Sequence, residues 1–292
     1  MSDAALVHFS QPELERPVMI AAFRGWNDAG DAASFAAQHL QRVWDAGPIA
    51  SIDPETFFDF QATRPQVELI DGVTRKITWP ANDFSAARLR GAPHDVVVLV
   101  GTEPNLRWKE FANLVVALAR KHDVRLVITL GALLADVPHS RPVPITGTAV
   151  DQALIDRLGL QRSRYEGPTG IVGVLHDSLA QAGIPSASLW AAVPHYLAVT
   201  PNPKAALALV HEAVRLVGWP AEVDDLERAS AAYDERVSEM VSSDDDVSAY
   251  VKLLEERTDE RNRDALEEME LPSGDALAAE LETFLRDRGS DD

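Results

Sequence analysis

Two largely β-branched runs, Asp95–Val100 (DVVVLV) and Arg125–Leu130 (RLVITL), restrict what this chain can fold into. Neither alternates polar with apolar residues. A strand built from either must be covered on both faces, as in a parallel sheet held between two layers of helices. Between the runs, Trp108–Lys121 carries Phe111, Leu114, Val115 and Leu118 at helical spacing. The same alternation continues on either side. Val18–Phe23 predicts a buried strand. Asn27 or Asp28 is suited to cap a helix that runs to about Trp44 and stops at Gly47-Pro48. Residues 49–60 predict a second strand and Ser188–Val193 a later one. Helices are expected over about Thr148–Leu158, Thr169–Ala182 and Pro203–Val217. This order predicts an α/β fold, a three-layer sandwich around a mostly parallel sheet, over residues 1–221.

One insertion interrupts the pattern. In residues 67–79 two alternating runs flank Asp71-Gly72, a strong hairpin signal. Val67, Leu69, Val73, Ile77 and Trp79 make the hairpin apolar enough to pack on something. An isolated two-stranded hairpin is marginal, so pairing with the parent sheet or with a neighbouring subunit is expected. After Gly218-Trp219-Pro220 everything reads as helix, with apolar faces at Val237/Met240/Val241, Val247/Tyr250/Val251/Leu254 and Leu277/Leu281/Phe284/Leu285.

Charge separates these two parts. The chain carries 27 basic and 46 acidic residues, net −19. Residues 222–292 hold 24 of the acids and 8 of the bases, and so −16 of that charge; residues 1–221 are nearly neutral at −3. Residues 222–292 are therefore expected to form an acidic helical subdomain, either a solvated surface or a lid over the body. Such charge repels nucleic acid and anionic membrane, and no basic stripe is present to offset it. The N-terminus lacks the pattern of a leader, no apolar run is long enough to span a bilayer, and there is no cysteine. A soluble, cytoplasmic protein without disulfides or thiolate chemistry is expected.

In open α/β sheets ligands gather beyond the carboxyl ends of the strands. The sequence places polar residues there repeatedly: Asn27 and Asp28 after the first strand, Glu103 after DVVVLV, His139 and Arg141 after RLVITL, and His195 after the last strand. The repeated Val-Pro-His puts both histidines at one rim. A cleft could thus gather Asp28 or Glu103 as carboxylates, His139 and His195 as proton carriers and Arg141 as an anion clamp. Alternatively, these residues only satisfy backbone groups at strand ends. The spacing requires no metal and no cofactor. Phosphate-loop, dinucleotide-fingerprint, zinc-protease and nucleophile-elbow motifs are all absent. The stretch Tyr165–Gly173 (YEGPTGIVG) has the glycines of a phosphate cradle. Pro168 removes an N–H and Glu166 adds negative charge, so a helix start capped by Thr169 is the better reading. Tyr165 and Glu166 are then candidates to line the cleft.

Several of these segments occur together in one known family. GWNDAGDAA (25–33), GTEPNLRW (101–108), LGALLADVPHSRPVPITGTA (130–149), YEGPTGIVGVL (165–175) and PNPKAALAL (201–209) resemble the proteasome assembly chaperone 2 family, in its bacterial, actinobacterial-type branch. The resemblance covers residues 18–218. It implies a core similar to nucleoside phosphorylases. It also implies a homo-oligomer, a trimer built partly through a hairpin like 67–79, and a C-terminal helical segment over a ligand cleft. Eukaryotic and archaeal members assist proteasome α-ring assembly without known catalysis; the bacterial branch has no established function. The final Gly289-Ser290-Asp291-Asp292 lacks the hydrophobic-Tyr tail with which some members dock, so that mode is not expected. Two functions follow: a non-catalytic assembly or scaffold protein whose partners are itself and proteasome subunits, or a small-molecule-binding protein or hydrolase- or phosphorylase-like enzyme with a pocket at the strand carboxyl ends under the helices.

Overall fold

The computed structural model describes residues 5–197 and 200–269, with side chains through residue 263. The expected apolar face at Leu277, Leu281, Phe284 and Leu285 lies outside the described residues. The strands are β1 (Leu6–His8), β2 (Val18–Arg24), β3 (Gly47–Ile52), β4 (Gln66–Ile70), β5 (Thr74–Thr78), β6 (Asn82–Ala87), β7 (Val96–Thr102), β8 (Leu126–Ala135), β9 (Ile145–Ala149), β10 (Gln161–Arg162) and β11 (Ser186–Pro194). The helices are α1 (Ala32–Val43), α2 (Trp108–Lys121), α3 (Gln152–Leu158), α4 (Ile171–Gln181), α5 (Pro203–Val217), α6 (Asp224–Ser242) and α7 (Asp245–Met269).

Nine strands form one sheet in the order β1-β3-β6-β7-β2-β8-β11-β9-β10. The four strands at its centre, β7-β2-β8-β11, are all parallel. Antiparallel partners are added at both sides, β6 beside β7 and β9 beside β11. Both β-branched runs thus occupy the middle of the sheet. Their alternate side chains enter two cores: Val96, Val98, Leu126 and Ile128 pack with α1 and α5 on one face, while Val97, Leu99 and Val127 pack with α2 and α4 on the other. This is a three-layer α/β sandwich with helices on both faces of the sheet.

Local expectation and structure part in three places. The strand read over residues 49–60 ends at Ile52, because Asp53 accepts the Glu55 N–H and starts a 3₁₀ turn at Pro54. Thr148 belongs to strand β9, and the helix begins only after Asp151, whose carboxylate accepts the Leu154 N–H at 2.8 Å. The hairpin forms with Asp71 and Gly72 both in the left-handed region. It remains a separate two-stranded sheet, and Val67, Leu69, Val73 and Ile77 are exposed.

Helix α6 starts inside the larger core through Leu226, then packs along α5. A small third cluster of Tyr233, Val237, Val241 and Val251 joins α6 and α7 to Tyr196 and Leu197 beyond β11. The helical segment therefore lies against the carboxyl end of the parallel strands.

Candidate functional site

The strand-end residues divide into two groups, held by different helices. The first surrounds the start of α4. Gly25, at φ +130°, turns the chain after β2, and a side chain there would press on Glu103. Asn27 accepts the Ala132 N–H through its carbonyl at 2.8 Å, tying the turn to β8. Asp28 reaches over the next turn to accept the Ala33 and Ser34 N–H groups at 2.7 and 3.2 Å, which caps α1. Burial pushes its carboxyl above the usual carboxylate range, and its second oxygen has no described partner.

Glu103 performs for α4 what Thr169 was expected to do. Its Oε1 accepts the Ile171 N–H at 2.8 Å, placing a carboxylate at the positive end of the helix. The Thr169 hydroxyl instead rests against Gly173. Gly170 lies so close to Asn27 and Glu103 that an added Cβ would stand 2.6 Å from the Glu103 oxygen. The YEGPTG stretch is thus a tight turn sealed by a carboxylate, where a phosphate would have to displace Glu103. Tyr165 is exposed and closes its own turn by donating to the Pro168 carbonyl at 2.9 Å; Glu166 is exposed beside it. Replacing Glu103 by Ala should cost about 1–2 kcal/mol in urea unfolding, the usual loss of a helix cap to a charged group. An unchanged midpoint would show that the cap carries no weight.

The second group lies under α6 and α7. The Tyr196 hydroxyl accepts the His139 backbone N–H at 2.8 Å and is 2.9 Å from His139 Nδ1, while Nε2 faces Ser238 of α6 at 3.3 Å. This pattern suits a neutral ring that accepts at Nδ1 and donates at Nε2. Burial, with Lys204 nearby, lowers the His139 pKa in agreement. Burial also pushes the Tyr196 and Tyr233 hydroxyls up to about 12. Lys204 donates to the His139 carbonyl and pairs with Asp234 at 2.9 Å. His195 pairs with Asp136 at 3.1 Å and packs edge-on against Tyr196 and Tyr250.

Arg141 is not an anion clamp open to a ligand. Its guanidinium grips Asp259 of α7 in two bonds of 2.8 and 2.7 Å, with Glu255 at 3.6 Å. The anticipated convergence of Glu103 with His139 and His195 does not form either. Glu103 serves α4, the histidines serve α6 and α7, and no described hydrogen bond or ion pair joins the two groups. The space left beside His139, lined by Val143, Asn202, Lys204 and Tyr233, is about 10 Å³, roughly the least that holds one water molecule. Residues that composition and spacing did not single out, Tyr196, Tyr233, Lys204, Ser238 and Asp259, complete this network. Only the apolar stripes of the C-terminal helices hinted that some surface of the body must receive them.

Among the described residues no cluster of three His, Cys, Asp or Glu is placed to hold a metal ion, and no helix is long and apolar enough to cross a membrane. Among the polar residues exposed at the strand ends, such as Arg24, Asp136 and Glu166, several large apolar side chains also face solvent. Trp26 is 60% exposed, Leu134 61% and Tyr165 67%, with Leu106 and Leu133 about half exposed. Each belongs to a loop or strand end at the carboxyl side of β2, β7 or β8, or to the turn before α4.

Fold and rim together define an α/β sandwich protein whose strand ends are closed by its own polar side chains and C-terminal helices, leaving an apolar fringe. The chain belongs to the PAC2 family, whose sequence profile matches residues 22–241. A PAC2 family protein from Streptomyces avermitilis is 46% identical, over 80% of this chain and 99% of that one, with a TM-score of 0.74. A Mycobacterium tuberculosis proteasome-assembly chaperone homologue is 45% identical, over 80% and 99% of the two chains, with a TM-score of 0.73. PbaB of Pyrococcus furiosus, an archaeal proteasome activator, shares the fold at 18% identity, over 80% and 97%, with a TM-score of 0.65. No match is found among curated proteins.

Proposed function

We propose that this protein is a non-catalytic, chaperone-like assembly factor that works as a homo-oligomer in the cytoplasm and presents its strand-end rim to proteasome subunits. One observation carries the reading: Glu103, His139 and Arg141 are committed to internal bonds, while Trp26, Leu106, Leu133, Leu134 and Tyr165 face solvent. A surface of this kind suits protein contact better than turnover of a small molecule. The space of about 10 Å³ beneath α6 and α7 supports the same view, with the helical segment acting as a fixed cover. The exposed apolar face of the hairpin, Val67, Leu69 and Ile77, supports self-association, with a trimer as the expected assembly. The relatives that are a proteasome-assembly chaperone homologue and a proteasome activator suggest the class of partner.

The test is affinity purification of the full chain at native expression level, read by mass spectrometry and light scattering. Proteasome α subunits should co-purify. Trp26→Ser combined with Leu134→Ser should reduce their recovery on the order of tenfold, as expected for apolar anchors at an interface centre, without changing the size of the self-assembly. Recovery of self-oligomers alone would sink the assembly-factor reading.

A further inference from the structure

A second feature lies where β2 and β7 end beside the root of the hairpin. An open cleft of about 280 Å³ is bounded by Arg24 at the end of β2, Thr102 at the end of β7, Gln38 of α1, and Arg64, Thr78 and Trp79 around the hairpin. Its chemistry is the reverse of the rim described above. The Arg24 and Arg64 guanidiniums, the Gln38 amide, the Trp79 indole N–H and the Thr78 and Thr102 hydroxyls make no hydrogen bond or ion pair with any described residue. Arg24 and Arg64 line one shared space. The carboxylate in the lining, Asp83, has one oxygen held by the Ser51 hydroxyl at 2.6 Å.

The geometry points to a small phosphomonoester carrying a planar ring as the ligand of this cleft. Two guanidinium forks with two hydroxyls supply more donors than the two oxygens of a carboxylate can use, and match the three oxygens and double charge of a phosphate. The Trp79 ring is fixed by edge-on packing against Phe60, with centroids 4.8 Å apart, and 45% of the residue stays exposed. It offers a flat face to a ring held at the same time as the phosphate. The volume is enough for a small molecule of this kind. The cleft shares the ends of β2 and β7 with the rim of the proposed assembly function, but none of its lining residues is among the apolar residues assigned to that function, and the ligand assignment does not depend on it.

Isothermal titration of the full chain at low salt with phenyl phosphate, inorganic phosphate and benzoate tests the assignment. Phenyl phosphate should bind more tightly than either fragment. Arg24→Gln and Arg64→Gln should each weaken it at least about tenfold, the loss of one charge-assisted contact. Trp79→Ser should bring phenyl phosphate down to the inorganic phosphate value and leave inorganic phosphate unaffected. If Arg24→Gln lowers the melting temperature, the Arg64 and Trp79 variants at the exposed hairpin root decide the matter. The proposal is overturned if the wild type fails to bind phenyl phosphate at about 10 mM. Benzoate binding equally well, or wild-type affinity in the arginine variants, would overturn it too.

Discussion

Phe111→Ala should destabilise the protein by about 4 kcal/mol, and lower its melting temperature by roughly 10 °C, while leaving it folded at room temperature. Phe111 is fully buried on α2. Its ring meets Phe23 of β2 and Phe57 edge-on, with centroids 5.9 and 5.5 Å apart. Truncation removes the transfer energy of the ring and both aromatic contacts, and leaves a cavity between helix and sheet that rigid neighbours cannot fill. The effect should extend to the strand ends. The Phe57 carbonyl accepts the N–H groups of Asn105 and Leu106 at 3.0 Å, so loosening Phe57 frees the loop that follows Glu103. Urea unfolding gives the energy, and hydrogen exchange at Asn105 and Leu106 reads the loop. A loss under 1 kcal/mol would mean that the second core is less tightly packed than it stands here.

Lowering the pH from 7 to 4 should remove about 3 kcal/mol of stability through His176 alone. This ring sits between the sheet and α4, with Nε2 2.8 Å from the Thr129 hydroxyl and Nδ1 2.8 Å from that of Ser186. Burial holds its pKa down at about 4, below the 6.5 of an exposed histidine. Between these values the unfolded chain binds a proton that the native state refuses. Stability therefore falls as the pH drops from about 6.5 to about 4, and the loss is complete below that. His176→Gln keeps a polar side chain in place and removes the titration. The difference in unfolding energy between pH 7 and pH 4 should thus be about 3 kcal/mol smaller in the variant, with the response of the many carboxylates cancelling in the comparison. Equal pH dependence in the two proteins would show that His176 does not titrate between its folded and unfolded values.

Much of the fold was legible because its signals are local. DVVVLV and RLVITL became β7 and β8 at the sheet centre. The stripe Phe111, Leu114, Val115 and Leu118 became the buried face of α2, and Asp71-Gly72 formed its hairpin. Where reading failed, a second local signal had been outweighed. Pro54 ended the strand read through residue 60, and Asp151 marked the true start of the helix after β9. The candidate site was less legible. Thr169 was the obvious cap for α4, yet the carboxylate that performs the task comes from Glu103, 68 residues earlier. His139, His195 and Arg141 do lie at the strand ends, but most of their partners come from α5, α6 and α7 and from the loop after β11.

The order of strands and helices, the burial of the central strands on both faces and the concentration of net negative charge in residues 222–292 are determined by the sequence alone. Each depends on side-chain periodicity or on composition, which neighbours in the chain set. The tertiary structure decided which polar groups were used up and which were left open. Arg24 closes strand β2, and Arg141 lies in the segment that follows β8. Arg141 is neutralised by a carboxylate of α7, while Arg24 lines the cleft beside the hairpin. A charge pair is settled by distances of about 3 Å between segments far apart in the chain, and only packing brings those segments together.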